Sequence, residues 1–239
     1  MVQAGDDLPT LLFNAIDHGA LGCKDGDILV VCQKVVSKAE GRLADLRQIV
    51  PSAFAEQLAQ QTADGKDPRV IEVILRETKR IVRMDSGHLI VETGPGWVCA
   101  NAGVDESNSG DPNIVVLLPH DPDASAARIA RAAQTRYGAT IAVIVTDTFG
   151  RPWRQGLVDF ALGVAGMSAL QDLRGTGDLD GRVLKHTINA QADALAAAAG
   201  LVMRKGDAIP AALVRGYEFT PGEGAGTQLI REKQFDLFR

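Results

Sequence analysis

The chain has 239 residues, 46% of them hydrophobic and 23% charged, with a formal net charge of −5. That length supports a sizeable core, as one domain or two closely joined lobes, and the acidic balance argues against non-specific nucleic-acid binding. No apolar stretch approaches the ~20 residues of a membrane span, and the N-terminal MVQAGDDLPT has neither the basic nor the apolar region of a signal peptide. The three cysteines, Cys23, Cys32 and Cys99, lack CxxC spacing, so neither a disulfide framework nor a thiolate zinc site is indicated, and a reducing cytoplasm is the expected compartment.

In chain order, Leu8, Leu11, Leu12, Ala15 and Ile16 predict a helix over residues 8–18, with Asp6 or Asp7 at its cap and Gly19 at its end. The apolar run 28–31 predicts a buried strand. A polar cluster over residues 33–42 follows at once, with Lys34, Ser37, Lys38, Glu40 and Arg42. It reads either as a solvated loop or as lysines placed to meet phosphate. Residues 52–61 and 68–76 read as helices, the second with Pro68 at its first position. Residues 88–92 and 97–100 read as strands paired around Gly94-Pro95-Gly96.

Residues 101–113, NAGVDESNSGDPN, are rich in Asn, Asp, Ser and Gly. Such a stretch is either an Asx-turn loop or a site for a hard cation or nucleotide, with Asp105 as ligand and Asn108 as partner. Asp105 and Glu106 repel as neighbours, and a bound cation offsets that. A further buried strand is expected over 113–118, then a helix over 122–137 opened by Asp121-Pro122 and closed by Gly138.

The most chemically suggestive stretch is IAVIVTDTFGRPWRQG, residues 141–156. Residues 141–145 read as a buried strand with Thr146, Asp147 and Thr148 at its tip, followed by a loop carrying Arg151, Trp153 and Arg154. A carboxylate and a hydroxyl at a strand tip suit magnesium or manganese, and two arginines suit phosphate or carboxylate. A capped strand end with a solvated basic turn is the alternative. Alternation over 158–165 predicts a strand with a closely packed Ala/Gly face. The turn-rich 173–181 then leads into a long helix ending near Met203, with Val183, Leu184, Thr187, Ile188, Gln191, Ala194, Leu195, Ala198 and Leu201 as its inner face. Residues 211–214 read as a short strand and 220–227 as a flexible linker. The tail has Phe235, Leu237 and Phe238 as candidate anchors. His18, His88, His120 and His186 have no ligand spacing and read as structural. Neither a P-loop nor a GxGxxG is present, so any nucleotide site is built from dispersed loops.

GDILVVCQKVVSKAEGR, NAGVDESN, VTDTFGRPWRQG, DLRGTGDLDGR and IPAALVRG, taken together and in this order, resemble the coenzyme F420-0:gamma-glutamyl ligase family. The closing FDLFR is similar to the junction that leads, in two-domain members, to a flavin reductase-like domain, so the chain is expected to be the single-domain form. The resemblance implies an α+β fold with mixed β-sheets and flanking helices in two interlocked lobes, forming an intertwined homodimer. It divides the chain into a ligase domain over 1–219 and a linker and tail over 220–239. It implies GTP-dependent addition of L-glutamate to coenzyme F420-0 through an acyl phosphate, with two divalent cations, magnesium or manganese, and stimulation by potassium.

Asp105, Asp147 and Thr148 match the family's metal ligands. Gln33, Lys38, Asn108, Met203 and Lys205 fall at its nucleotide contacts, and Arg151 and Arg154 join Asp105 and Asp147 as the catalytic set. Two departures stand out. Most of the family's N-terminal strand has no counterpart before residue 5, and Lys205 stands where archaeal members carry a metal-binding Gln. Those departures keep open a non-catalytic nucleotide- or deazaflavin-binding paralogue. The Asp147-Thr148 pair alone also suits a metal-dependent phosphatase or phosphotransferase.

Overall fold

The computed structural model describes residues 1–62, 65–85, 87–204 and 206–236. The first helix, α1 (Leu8–His18), begins where Asp7 caps it by accepting from the Thr10 backbone and hydroxyl. Strand β1 (Ile28–Cys32) is buried almost throughout and passes directly into α2 (Gln33–Ala39). Most of the 33–42 cluster is therefore helix, not loop. No Gly or Pro interrupts residues 33–39, and Val35, Val36 and Ala39 give them an apolar side that packs on the core. Lys34 and Lys38 consequently stand one turn apart on a single helix face.

Next come β2 (Leu43–Asp45), α3 (Ala53–Gln60), α4 (Pro68–Arg76), β3 (Thr78–Asp85), β4 (His88–Thr93), β5 (Val98–Ala100) and β6 (Ile114–Val116). The expected helices and the β4–β5 pair are present. Strand β3 has no alternating apolar pattern to announce it: its residues, TKRIVRMD, are mostly polar, and its pairing with β4 makes it a strand. These elements form a three-stranded sheet, β3-β4-β5, and a two-stranded one, β2-β6. Leu46, Val70, Ile71, Ile74, Leu89, Val91 and Val115 are the centre of their core.

The chain continues through α5 (Pro122–Tyr137), β7 (Ala142–Arg151), β8 (Arg154–Ala165), β9 (Gln171–Asp172), β10 (Ile188–Asn189), α6 (Gln191–Gly200) and β11 (Ala211–Val214). Gly138 ends α5 in the left-handed conformation, at φ 68°. The main sheet has the order β11-β1-β7-β8, with β1 and β7 parallel and the other pairs antiparallel. Everything between β1 and β7 is inserted between two neighbouring parallel strands, the second core included. The period of two sorts the sheet's residues onto two faces. Leu29, Val31, Val143 and Val145 meet α1, α2 and α5. Ile28, Val30, Ala142 and Ile144 meet Ala192, Leu195, Ala196 and Ala199 of α6. Trp97, Leu118 and Leu162 join the main sheet to the second core. The α+β class with mixed sheets is thus present, and no helix among the described residues is long and apolar enough to cross a membrane.

Three further expectations are corrected. Strand β7 does not stop at Val145. It runs on to Arg151 and turns through Pro152-Trp153 into β8, because the extended backbone pairs Thr146 with Ala161 and continues to the turn. The long helix is confined to α6. The stretch before it pairs with β9 instead, leaving Val183 and Ile188 exposed, and the inner face of α6 is Ala192, Leu195, Ala196 and Ala199 while Ala194 and Ala198 face out. The 220–227 segment is packed, not free. Asp123 accepts at 2.8 Å from both Val164 N–H and Gly226 N–H. A Cβ on Gly226 would sit 2.0 Å from the Leu162 carbonyl oxygen, and one on Gly163 would sit 2.3 Å from the Pro122 backbone. Glycine is required at both approaches, and the expected Ala/Gly packing of β8 is seen there. Phe235 is exposed, while Leu237 and Phe238 lie outside the described residues.

Candidate functional site

Strands β1 and β7 leave their shared ladder at the same level, with Cys32 opposite Thr146 as the last pair. Helix α2 starts at that point on one strand, and Asp147 is the next residue on the other. The carboxyl ends of neighbouring parallel strands are where α/β sheets commonly open a ligand crevice. A third contributor comes from the second core. Asp105 exchanges both backbone hydrogen bonds with Val116, each 2.9 Å, which fixes the 101–108 loop to β6. Within that loop Asn101, Ala102 and Asn108 all hold positive φ, between 53° and 56°. Non-glycine residues in that region carry strain, and they cluster at ligand-binding loops.

Helix α2 and this loop are stitched together by lysines. The Lys34 ammonium lies 2.7 Å from an Asp105 carboxylate oxygen and donates to the Ser107 carbonyl and hydroxyl. Lys38 donates to the Asn108 carbonyl at 2.5 Å. Gln33 is buried and accepts from the Ser37 hydroxyl at 2.9 Å. On the hairpin, the Thr148 hydroxyl donates to Asp159 at 2.6 Å.

The electrostatics tie these groups into one site. Burial pushes the Asp147 carboxyl up to about 6, and the charges of Asp105 and Asp159 add to the rise against the Thr148 N–H and Lys34. Burial also pushes Asp105 upward, but its hydrogen bonds with Lys34 and Ser107 outweigh that and hold it below the ordinary range. Burial and the neighbouring Lys34 charge lower Lys38. Asp105, Asp147, Lys34, Lys38 and Asn108 are therefore drawn together, while Thr148, one residue on from Asp147, has its hydroxyl paired with Asp159. Arg151 and Arg154 do not stay with them. They face each other at the turn end of the hairpin, roughly 13 Å along the strand from Asp147 at ~3.4 Å per residue. Arg151 donates to the Gln155 carbonyl there, and Arg154 is exposed. Met203 packs beside the α6 core. Lys205 lies outside the described residues.

The sequence profile of the F420-0:gamma-glutamyl ligase family matches residues 1–216. The chain belongs to that family. A coenzyme F420:L-glutamate ligase of Methanothermobacter thermautotrophicus is 45% identical over 242 residues, covering 100% of this chain and 95% of that protein. The ligase of the same name from Methanopyrus kandleri is 46% identical, with 100% and 93% covered, and that of Archaeoglobus fulgidus 39% identical, with 100% and 92% covered. This member of the ligase family is accordingly an enzyme.

The sequence places Lys34 among lysines suited to phosphate but does not show its pairing with Asp105, and it gives Asp159 no role in the site. Lys34 was visible as a charge next to a strand, but its partner Asp105 is 71 positions away, and only the fold joins them. Asp159 looked like the polar face of an alternating strand. The signal that marks it is the hairpin register, which sets it opposite Thr148. The oxygen donors Asp105, Asp147, Asp159 and Thr148 suit a hard cation. The raised Asp147 carboxyl and the ammonium on Asp105 fit a place where positive charge belongs. Among the described residues no three acidic, His or Cys side chains form a ready-made metal cluster.

Proposed function

We propose that this ligase joins L-glutamate to the terminal carboxylate of coenzyme F420-0 at the expense of GTP. The observation that supports the reading most strongly is the meeting of Asp105 and Asp147, from two separate cores, beside the Lys34 and Lys38 ammoniums. A carboxylate oxygen of the acceptor attacks the γ-phosphorus, the bond to the β,γ-bridging oxygen breaks, and GDP leaves. The glutamate amine then attacks the acyl carbon, the C–N bond forms, phosphate departs and the amine loses a proton to solvent.

In the first step charge moves onto the β-phosphate and bridging oxygen, and cationic side chains placed there lower the barrier. Lys38 and Lys34 on one face of α2 are positioned for that, and the Asn108 backbone fixes the Lys38 ammonium. Asp105, Asp147 and Thr148 would hold magnesium or manganese, which would supply further neutralisation of phosphate charge. Potassium, as in the family resemblance, is a further expected activator. Gln33 buttresses α2 from its buried side through Ser37.

The hairpin turn supports a homodimer: Trp153 is 79% exposed and Leu157 60% exposed, a surface that a second copy of the chain would cover. The test of the function is one incubation with F420-0, GTP, manganese and L-glutamate, read by mass spectrometry. The expected result is a glutamyl mass increment, with GDP and phosphate released only when both acceptor and glutamate are present. GTP turnover that ignores either substrate, or no product, would overturn the reading.

A further inference from the structure

The β7–β8 hairpin borders a cavity that the phosphoryl-transfer site does not use. It has a volume of about 270 Å³ and lies between the hairpin, residues 96–98 and residues 229–231. Trp97, Phe149 and Phe160 line it, the two phenyl rings stacked with centroids 6.0 Å apart and planes 26° apart. Arg151, Asp193 and Arg231 complete its polar wall. Trp97 is only 8% exposed, yet its indole N–H has no partner among the described residues, and the Nε–H of Arg151 is likewise buried and unpaired. Leaving a buried donor unmade costs roughly 1–3 kcal/mol, and such groups are rare in folded proteins. Both residues border one hollow.

Both orphan groups are donors, so their missing partner is an acceptor. The Asp193 carboxylate already accepts from Ala161 N–H at 3.0 Å. Aromatic walls favour a ligand with flat faces, and glutamate has none. The place along the hairpin is also informative. Phe149 is two residues beyond Asp147 on the same side of β7, and Arg151 is four beyond, so the cavity extends roughly 7 to 13 Å from Asp147 at ~3.4 Å per residue. A ring seated here leaves its tail free to run back toward the carboxylates.

We infer that this cavity holds the flat ring of the deazaflavin acceptor, whose edge oxygens accept from Trp97 Nε1 and Arg151 Nε. The inference rests on the acceptor proposed above and assigns the part of it that does not react. Trp97 is then a specificity residue: it touches the substrate far from the reacting carboxylate.

The chain has only two tryptophans, Trp97 and Trp153. Trp153→Phe therefore leaves a single indole N–H resonance, that of Trp97, in isotope-labelled protein. The probe is a deazaflavin bearing only its ribityl chain, which has no carboxylate to be ligated. Titrating it should move the Trp97 resonance downfield and saturate. In the full chain Trp97→Phe, which keeps an aromatic wall but removes the donor, should weaken probe binding about tenfold, the loss of one hydrogen bond. GDP–manganese affinity should not change. Phe160→Leu should weaken the probe as well, and thermal unfolding of both variants shows that each is folded.

A probe that binds without moving the indole resonance, or that binds both variants as it binds the parent, overturns the assignment. So does movement of that resonance by GDP and not by the probe, which would give the cavity to the nucleotide base. The acceptor proposal fails separately: a moved resonance with no ligation of F420-0 sinks that proposal and leaves a ring-binding cavity, whereas ligation with an unmoved resonance sinks only the cavity.

Discussion

The β7–β8 hairpin is two different materials along its length. At its root, Ala142 to Val145 have no exposed surface and are gripped by helices on both sides. Past Thr146 the parallel neighbour β1 is gone, the burial pattern loosens, and the side chains become Asp147, Thr148 and Asp159. The contrast shows how one element both anchors and functions. The root fixes the position of the strand to packing precision, and the half-buried middle presents Asp147, Thr148 and Asp159 beside Phe149, which packs on the Trp97, Leu118 and Leu162 cluster. A carboxylate can therefore be kept in a costly setting, with its proton affinity raised to about 6, because the root a few residues away holds the backbone in place.

Substitutions at the two levels should separate the roles. The largest effect is expected at the middle. Asp147→Asn should lower ligation a hundredfold or more with the fold intact, because a neutral amide is a weaker donor to a hard cation than a carboxylate. Steady-state rates at limiting manganese, with a melting curve alongside, measure it, and near-normal turnover would remove Asp147 from the site. At the root the pattern reverses. Ile144→Ala removes a side chain with no exposure and should cost about 3 kcal/mol of unfolding free energy. At temperatures where the variant is folded, the GTP KM should stay near its parent value; denaturant titration and kinetics report the two numbers.

A second root contact gives the pH dependence. Asp27 precedes β1, is buried, and receives two hydrogen bonds of 2.8 Å from Arg215, just past β11. Burial pushes its carboxyl up, but Arg215 and the Lys24 N–H outweigh that and hold it below the ordinary value. A lowered acid contributes stability that is present above its unfolded value, near 3.9, and lost as pH falls through the lower folded value. Asp27→Asn should therefore cost about 2 kcal/mol at pH 7, discounted because Arg215 is partly exposed. The gap between parent and variant melting curves should close as pH falls below 4. A gap that is constant with pH would contradict the assignment. The smallest effect belongs to Lys38→Ala, which should raise the GTP KM about tenfold and leave the glutamate KM within about twofold, since one phosphate contact is lost.

Legibility in the sequence followed the same division. Strands β1 and β7 were readable because both faces are buried and the residues form unbroken apolar runs, and α4 and α5 because Pro and Asp mark their starts. The continuation of β7 past Val145 was not readable, because Thr146–Arg151 has the composition of a loop and is made a strand by its partner β8. The same applies to β3, a charged strand defined by β4. The sequence overextends helix α6 because Val183, Leu184, Thr187 and Ile188 fall at helical spacing, although their backbone pairs with β9 or turns. Of the candidate site, the charges of Asp105, Asp147 and Lys38 are legible, because residue type carries them. Pairings that distance in sequence hides, Lys34 with Asp105 and Thr148 with Asp159, are not.

The central claim is that two carboxylates from separate cores, 42 positions apart, make one cation site that substrate phosphate completes. Calorimetric titration of manganese into the chain with and without GDP, repeated with Asp105→Ala, tests it most directly. If the claim holds, GDP tightens manganese binding at least tenfold, because phosphate oxygens fill the shell and the cation relieves the repulsion between Asp105 and Asp147. Asp105→Ala then removes most of that gain. Manganese affinity that is the same with and without GDP, or unchanged in Asp105→Ala, would contradict it.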